Sequence, residues 1–191
     1  MRCETFRTFI LNGINQRYME FKEKAERAYK EGKEEADSSF LKQMDRLFTQ
    51  CHKMQKEGRK NAVGYVMIYP LRMGFQSSSY EVMISLLDSA GYSDRKEVTA
   101  YWVPEYLIPI IEEEKKYYAK ALERQFVRVM YYEKKDVLAE LFEECYFEPL
   151  MGFFEEQTEK CKELESYQAM DKEDDIIFFY GEYMEEVMHP L

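Results

Sequence analysis

The chain has 191 residues, 27 basic against 37 acidic side chains for a net charge of −10, and 46% hydrophobic residues that include 16 Tyr, 13 Phe and one Trp. That length suits one domain over residues 1–191, with enough apolar surface to hold a core without disulfide or metal. Basic residues are mostly answered by nearby Glu, as in KEKAERAYKEGKEE, which argues against a nucleic-acid surface and against an anionic membrane.

From Cys3 to about Glu31, Phe6, Ile10, Ile14, Phe21, Ala25 and Ala28 recur in steps of three, four and seven, with Tyr18 close by. This spacing predicts an amphipathic helix, with Gly32 as its C-cap. Leu41, Met44, Leu47, Phe48 and Cys51 predict a second helix over about Ser39 to Glu57, closed by Gly58. Residues 63–75, VGYVMIYPLRMGF, are nearly continuously apolar. They fit a short helix ending near Ile68 or a buried strand, since Pro70 removes a backbone donor and biases Tyr69 away from helix.

Tyr80 to Leu87, YEVMISLL, satisfies both periods. Helix spacing selects Tyr80, Met83, Ile84 and Leu87, and strand spacing selects Tyr80, Val82, Ile84 and Leu86. The longer stretch SYEVMISLLDSAGYSD, followed by Tyr101 and Trp102, resembles a pattern in uncharacterised bacterial proteins. In those proteins a more clearly alternating stretch reads as a β-hairpin. The resemblance therefore implies a small hairpin near residues 79–95, with DSAG as its turn and YSD returning, and it carries no function.

The second half reads as helices. Pro109 with Glu112, Glu113 and Glu114 marks a helix start, because acidic side chains suit the positive N-terminal end. Asp136 is placed to cap a helix through Val137, Leu138, Leu141, Phe142 and Cys145, and Pro149 restarts the chain into Phe153, Phe154, Cys161 and Leu164. Asp171 opens a last helix carrying Ile176, Ile177, Phe179, Tyr180, Tyr183, Met184 and Val187. The predicted fold is mainly α, a bundle-like domain of five to six helices with a β-hairpin insertion.

One loop carries the strongest candidate site. In YPLRMGFQSSSYEV, Ser77, Ser78 and Ser79 offer hydroxyl and backbone donors, Arg72 offers a charge-assisted fork, and Tyr80 closes the stretch. Such a set would hold a small anion, although it lacks the Gly-Lys-Ser/Thr of a P-loop and serine clusters ordinarily mark turns. Turn stands first and pocket second.

Other chemistry finds less support. Glu186-x-x-His189 matches half of a di-iron motif, but His52 has Thr49 where a second Glu is required. Cys3, Cys51, Cys145 and Cys161 form no C-x-x-C pair, and the runs at Glu112–Glu114 and Asp171–Asp175 read as solvated helix faces. No metal or cofactor is expected. No run approaches a membrane-spanning length and no signal segment is recognisable, which predicts a cytoplasmic protein.

Twelve Met and the pairs Tyr117–Tyr118 and Tyr131–Tyr132 suit an adaptable apolar contact surface. The reading is a protein-interaction module without catalytic activity, binding a protein partner or forming a homodimer through a helical surface. The alternative is a small-molecule binding protein or enzyme with an anionic ligand at Arg72, Ser77–Ser79 and Tyr80.

Overall fold

The computed structural model describes residues 2–126, 128–182 and 188–191. Its first element is one helix, α1 (Arg2–Lys56), of 55 residues. The predicted break at Gly32 does not occur. A glycine inside a helix costs about 1 kcal/mol, which the long helix absorbs; a Cβ there would make only an ordinary contact, 3.8 Å from that of Tyr106, whose ring packs 5.4 Å from Tyr29. Nor does Ser39 start a second helix. Its hydroxyl donates to the Ala36 carbonyl at 2.9 Å and accepts the Trp102 indole N–H at 3.0 Å.

The chain divides into two compact units, Met1–Lys33 with Pro104–Leu150, and Glu34–Val103 with Met151–Leu191. In the first, Phe6, Ile10, Ile14 and Phe21 of α1 are buried at helical spacing, beside α3 (Ile108–Gln125) and α4 (Tyr131–Phe142). Pro109 lies in the first turn of α3, where its missing N–H costs no hydrogen bond. The helix α4 begins five residues before the Asp136 anticipated as its cap, because the Glu133 carboxylate accepts the Met130 N–H at 2.7 Å and closes that end. The seam of this unit is ionic at its centre. Arg17 donates from Nε at 2.9 Å and from Nη2 at 2.6 Å to the carboxylate of buried Glu114, while Tyr117 lies under the guanidinium at 3.9 Å.

A π turn, Glu143–Phe147, joins α4 to α5 (Glu148–Lys162). Pro149 explains the widened turn, since its ring would clash with the carbonyl four residues back in regular helix.

The second unit is built on a five-stranded mixed sheet in the order β3-β2-β1-β4-β5. Its strands are β1 (Val63–Pro70), β2 (Val82–Leu87), β3 (Val98–Trp102), β4 (Lys172–Gly181) and β5 (Met188–Pro190), with the short helices α2 (Arg72–Ser77) and α6 (Glu165–Ala169) between them. β1 pairs antiparallel with β2 and parallel with β4. This overturns the mainly α, helical-bundle expectation. The fold is mixed α/β, and the small hairpin is two strands of a larger sheet.

Two segments make the difference. The return strand after β2 is Val98–Trp102, whereas Gly91–Ser93 forms a single 3-10 turn. Residues 172–181 form a strand where a helix was anticipated. An unbroken run such as Ile176 to Tyr180 satisfies both periods, and β-branched and aromatic residues favour strand once a partner such as β1 is available. Tyr183, Met184 and Val187 of the anticipated helix lie outside the described residues.

Opposed residues in the register share a face. Val66, Ile68, Ile84, Leu86, Ala100, Trp102, Phe178 and Tyr180 form one face, all buried. Helices cover it. Trp102 stacks on Phe153 of α5 at 5.0 Å and 2°, and Phe40 of α1 meets Trp102 edge-on at 5.2 Å. Each such aromatic removes about 150–250 Å² from water.

A buried polar knot fixes the β2–β3 connection. Lys60, just before β1, donates from Nζ to the Leu86 carbonyl at 2.9 Å and to the Asp94 carboxylate. Asp94 also accepts the N–H groups of Asp88 at 3.0 Å and Lys96 at 2.8 Å. Asn61 donates to the Asp88 carboxylate at 2.7 Å.

Burial alone pushes the Asp94 carboxyl up, but the hydrogen bonds from Lys60, Asp88 and Lys96 outweigh it and hold it below its ordinary value. A carboxyl depressed in the folded state stabilises fully above its unfolded pKa of about 3.9 and loses that contribution as pH falls through the folded value. Asp94→Asn should therefore lower stability by about 3 kcal/mol at neutral pH by leaving Lys60 buried and unpaired. Urea unfolding from pH 7 down to pH 2 checks this. The wild-type and variant curves should converge in acid, and parallel curves would refute the assignment.

Candidate functional site

The predicted anion loop is real as a turn, and its donors are taken up by neighbouring groups of the chain. In α2 and the residues after it, Ser78 stands at φ 61° and Tyr80 at φ 51°, both in the left-handed region. That bend sends the N–H groups of Ser79 and Tyr80 to the Gly74 carbonyl at 2.9 and 3.1 Å, closing the helix end. The Ser77 hydroxyl donates to the Met73 carbonyl at 2.9 Å, and that of Ser79 to the Glu81 carboxylate at 3.2 Å. Tyr80 is buried, edge-on to Phe75 at 5.8 Å. Arg72 gives its fork to Glu182, with Nε at 2.9 Å. The structure thus brings Arg72, Ser77, Ser78, Ser79 and Tyr80 into one turn, and an anion there would have to displace Glu182.

Glu186 of the half di-iron motif lies outside the described residues, and His189 is exposed on β5. Among the described residues no group of three His, Cys, Asp or Glu side chains is arranged to hold a metal ion. No described helix is long and apolar enough to cross a membrane.

Cys51, Cys145 and Cys161 are buried and reduced. Burial pushes the Cys51 thiol up to about 11 and that of Cys161 to about 12, and it raises Cys145 further, beside Glu114. The thiolate is the nucleophile, so none of these side chains is poised for nucleophilic or redox chemistry near neutral pH.

The feature that stands out is the second face of the sheet. Tyr65, Met67 and Tyr69 of β1 point to it, with Met83, Ser85 and Leu87 of β2, Thr99 and Tyr101 of β3, and Ile177 and Phe179 of β4. Antiparallel sheets with one solvated face normally alternate apolar with polar. Here the second face is mostly apolar too, Ser85 and Thr99 meeting each other hydroxyl to hydroxyl at 3.3 Å. Met67, Tyr69 and Leu87 form a small core with Leu71, and Tyr92 of the β2–β3 connection stacks on Tyr69 at 6.4 Å. Beyond that cover, Tyr101 is 51% exposed, Tyr92 43% and Ile177 36%, while Tyr65 and Phe179 are half-buried with their rings 6.2 Å apart. A hollow of about 410 Å³ lies between Tyr65, Met67, Phe179 and the Ser89–Ser93 turn.

Sequence reasoning missed this surface, although one signal for it was present. In GYVMIYP both alternate sets of residues are apolar or aromatic, the mark of a strand with something to cover on each side.

No protein-family model, no curated protein and no solved structure matches this chain.

The thiol assignments are open to a direct check. In a Cys3→Ser background, an aromatic disulfide reagent at pH 8 should leave Cys51, Cys145 and Cys161 unlabelled in folded protein and label all three in 6 M guanidinium. Rapid labelling of Cys51 in folded protein would show that the cysteines are not sealed in the core.

Proposed function

We propose that this chain is a protein-interaction module that pairs with a second copy of itself through the second face of its sheet. The observation that carries the reading is a largely apolar second sheet face on which Tyr101, Tyr92 and Ile177 stay exposed, while α1 and α5 stack on the first. Sheets pack face to face at about 10 Å with interdigitated side chains, so a second such face is a geometrically matched cover.

Charge favours a copy of the chain over an unrelated partner. The protein carries a net charge of −10, yet Tyr65, Met83, Thr99, Tyr101, Ile177 and Phe179 carry none. A twofold axis sets each patch against itself, and only an uncharged patch escapes like-charge apposition under that symmetry. Five strands at about 4.8 Å spacing and about 3.3 Å per residue give a footprint of at most about 400 Å². Two such faces bury at most about 800 Å², below the roughly 1,200 Å² of standard specific interfaces and in the range of weak, transient contacts. The dimer is accordingly weak and reversible. Because the rest of the surface is acidic, it tightens as salt screens the repulsion.

Sedimentation velocity across a concentration series tests the proposal. Wild type should move from monomer to dimer in the micromolar range, at lower concentration in 0.5 M than in 0.05 M NaCl. The double variant Tyr101→Lys/Ile177→Lys, at two exposed positions, should stay monomeric with an unchanged melting temperature. A wild type that is monomeric throughout, or a variant that dimerises as well as wild type, refutes the reading.

A further inference from the structure

The hollow on the second sheet face has a chemistry of its own. Three aromatic rings line it, those of Tyr65 on β1, Phe179 on β4 and Tyr92 in the β2–β3 connection, together with the Met67 thioether. The rest of the lining is the small residues of the Ser89–Ser93 turn, so among the described residues no charged side chain takes part. Its volume of about 410 Å³ lies within the roughly 300–1,000 Å³ of small-molecule sites.

The wall is fixed by the fold. Gly91 stands at φ 58°, in the left-handed region, and its N–H donates to the Asp88 carbonyl at 2.9 Å. The Ala90 N–H donates to the Asp88 carboxylate at 2.9 Å, and Lys60 grips Asp94 at the far end of the turn. Tyr92 is held in between, its ring against that of Tyr69. Pairing of β1 with β4 brings Tyr65 and Phe179 together.

Charge selects the occupant. The face of an aromatic ring is the negative end of its quadrupole, and several rings around one cation make an aromatic cage. The knot behind the turn holds two carboxylates, Asp88 and Asp94, to the one ammonium of Lys60. Asp88 receives its side-chain hydrogen bonds from neutral donors, the Asn61 amide at 2.7 Å and the Ala90 N–H, which leave its charge in place. Arg95 and Lys96 are exposed beyond the turn and do not line the hollow. The chain as a whole carries a net charge of −10, so its field draws cations in. A quaternary ammonium suits such a lining best, because it has no N–H to leave unsatisfied among rings and methyl groups.

We propose that this hollow binds a small molecule through a quaternary ammonium head of choline size, held by the Tyr65, Tyr92 and Phe179 rings. The site belongs to one copy of the chain and does not rest on the pairing reading. Pairing through the same face would cover it, so the two are separated by working at low protein concentration.

Saturation-transfer NMR tests the assignment with choline and with neohexyl alcohol, which carries carbon in place of the ammonium nitrogen. At low salt and below the concentrations of self-association, wild type should bind choline about tenfold more tightly than the alcohol, the scale of cation–π contact with several partly exposed rings. Tyr65→Phe keeps the ring and should keep the preference, whereas Tyr65→Leu keeps apolar bulk and should lose most of it. Tyr92→Leu, at an exposed position, should lose it likewise, with melting temperatures confirming that each variant is folded. Equal binding of the two molecules, equal loss in Tyr65→Phe and Tyr65→Leu, an undiminished preference in both leucine variants, or no uptake of choline by wild type overturns it. Sedimentation reads the pairing separately, so failure of either proposal leaves the other standing.

Discussion

The second unit is organised by one constraint: its central strand is apolar on both sides. Val66 and Ile68 face the helices, while Tyr65, Met67 and Tyr69 face away from them. A strand of that composition is stable only when both faces are removed from water. The aromatic stack of Trp102, Phe153 and Phe40 satisfies one side. The other is met by improvisation. Leu71 covers one end, and Tyr92 is laid over Tyr69 by a turn that would be loose if Lys60 did not draw Asp94 and the end of β2 together. A buried charge pair is a costly way to hold a turn. Its use here marks how much depends on keeping Tyr92 in place.

The same economy governs the charges. Arg72, the one basic side chain read as a ligand donor, is committed to Glu182, and other basic side chains are likewise committed to acids of this chain: Arg17 to Glu114, Lys60 to Asp94 and Lys160 to Asp37. Each partner is distant in sequence, so the ion pairs tie elements together.

Legibility in the sequence followed the distance over which each decision is made. Helix starts set by local chemistry, such as Pro109 in the first turn of α3, could be read directly. The fate of Gly32 could not, because a glycine occurs both at helix ends and, at modest cost, inside long helices. Ile176 to Tyr180 fits helix and strand alike, and only pairing with β1 decides. The serine loop was legible as a turn, since left-handed residues and serines belong there. That its arginine is already taken was not, because Glu182 lies 110 residues from Arg72. Buried Glu114 was hidden for the same reason, its Arg17 partner being 97 residues away in a segment where Glu runs ordinarily mean solvent. The apolar second face left a trace in GYVMIYP, which does not say what lies against it.

The parallel pairing of β1 with β4 bears on how the molecule is made. After Pro70 the chain must pass through β2, β3 and the whole α3–α4 segment before Lys172 can return to the sheet. Contacts of such high sequence separation form late, since the entropy of closing the loop is lost before the pairing rewards it. During synthesis on the ribosome, β1 to β3 therefore emerge with one edge unpaired and with Phe178 and Tyr180 absent from the helix-covered face. A nascent chain in that state offers a sticky β edge to its neighbours. Because the two units interleave along the chain, neither can be completed first by a continuous stretch of sequence. Slow, concentration-sensitive maturation is thus written into the strand order.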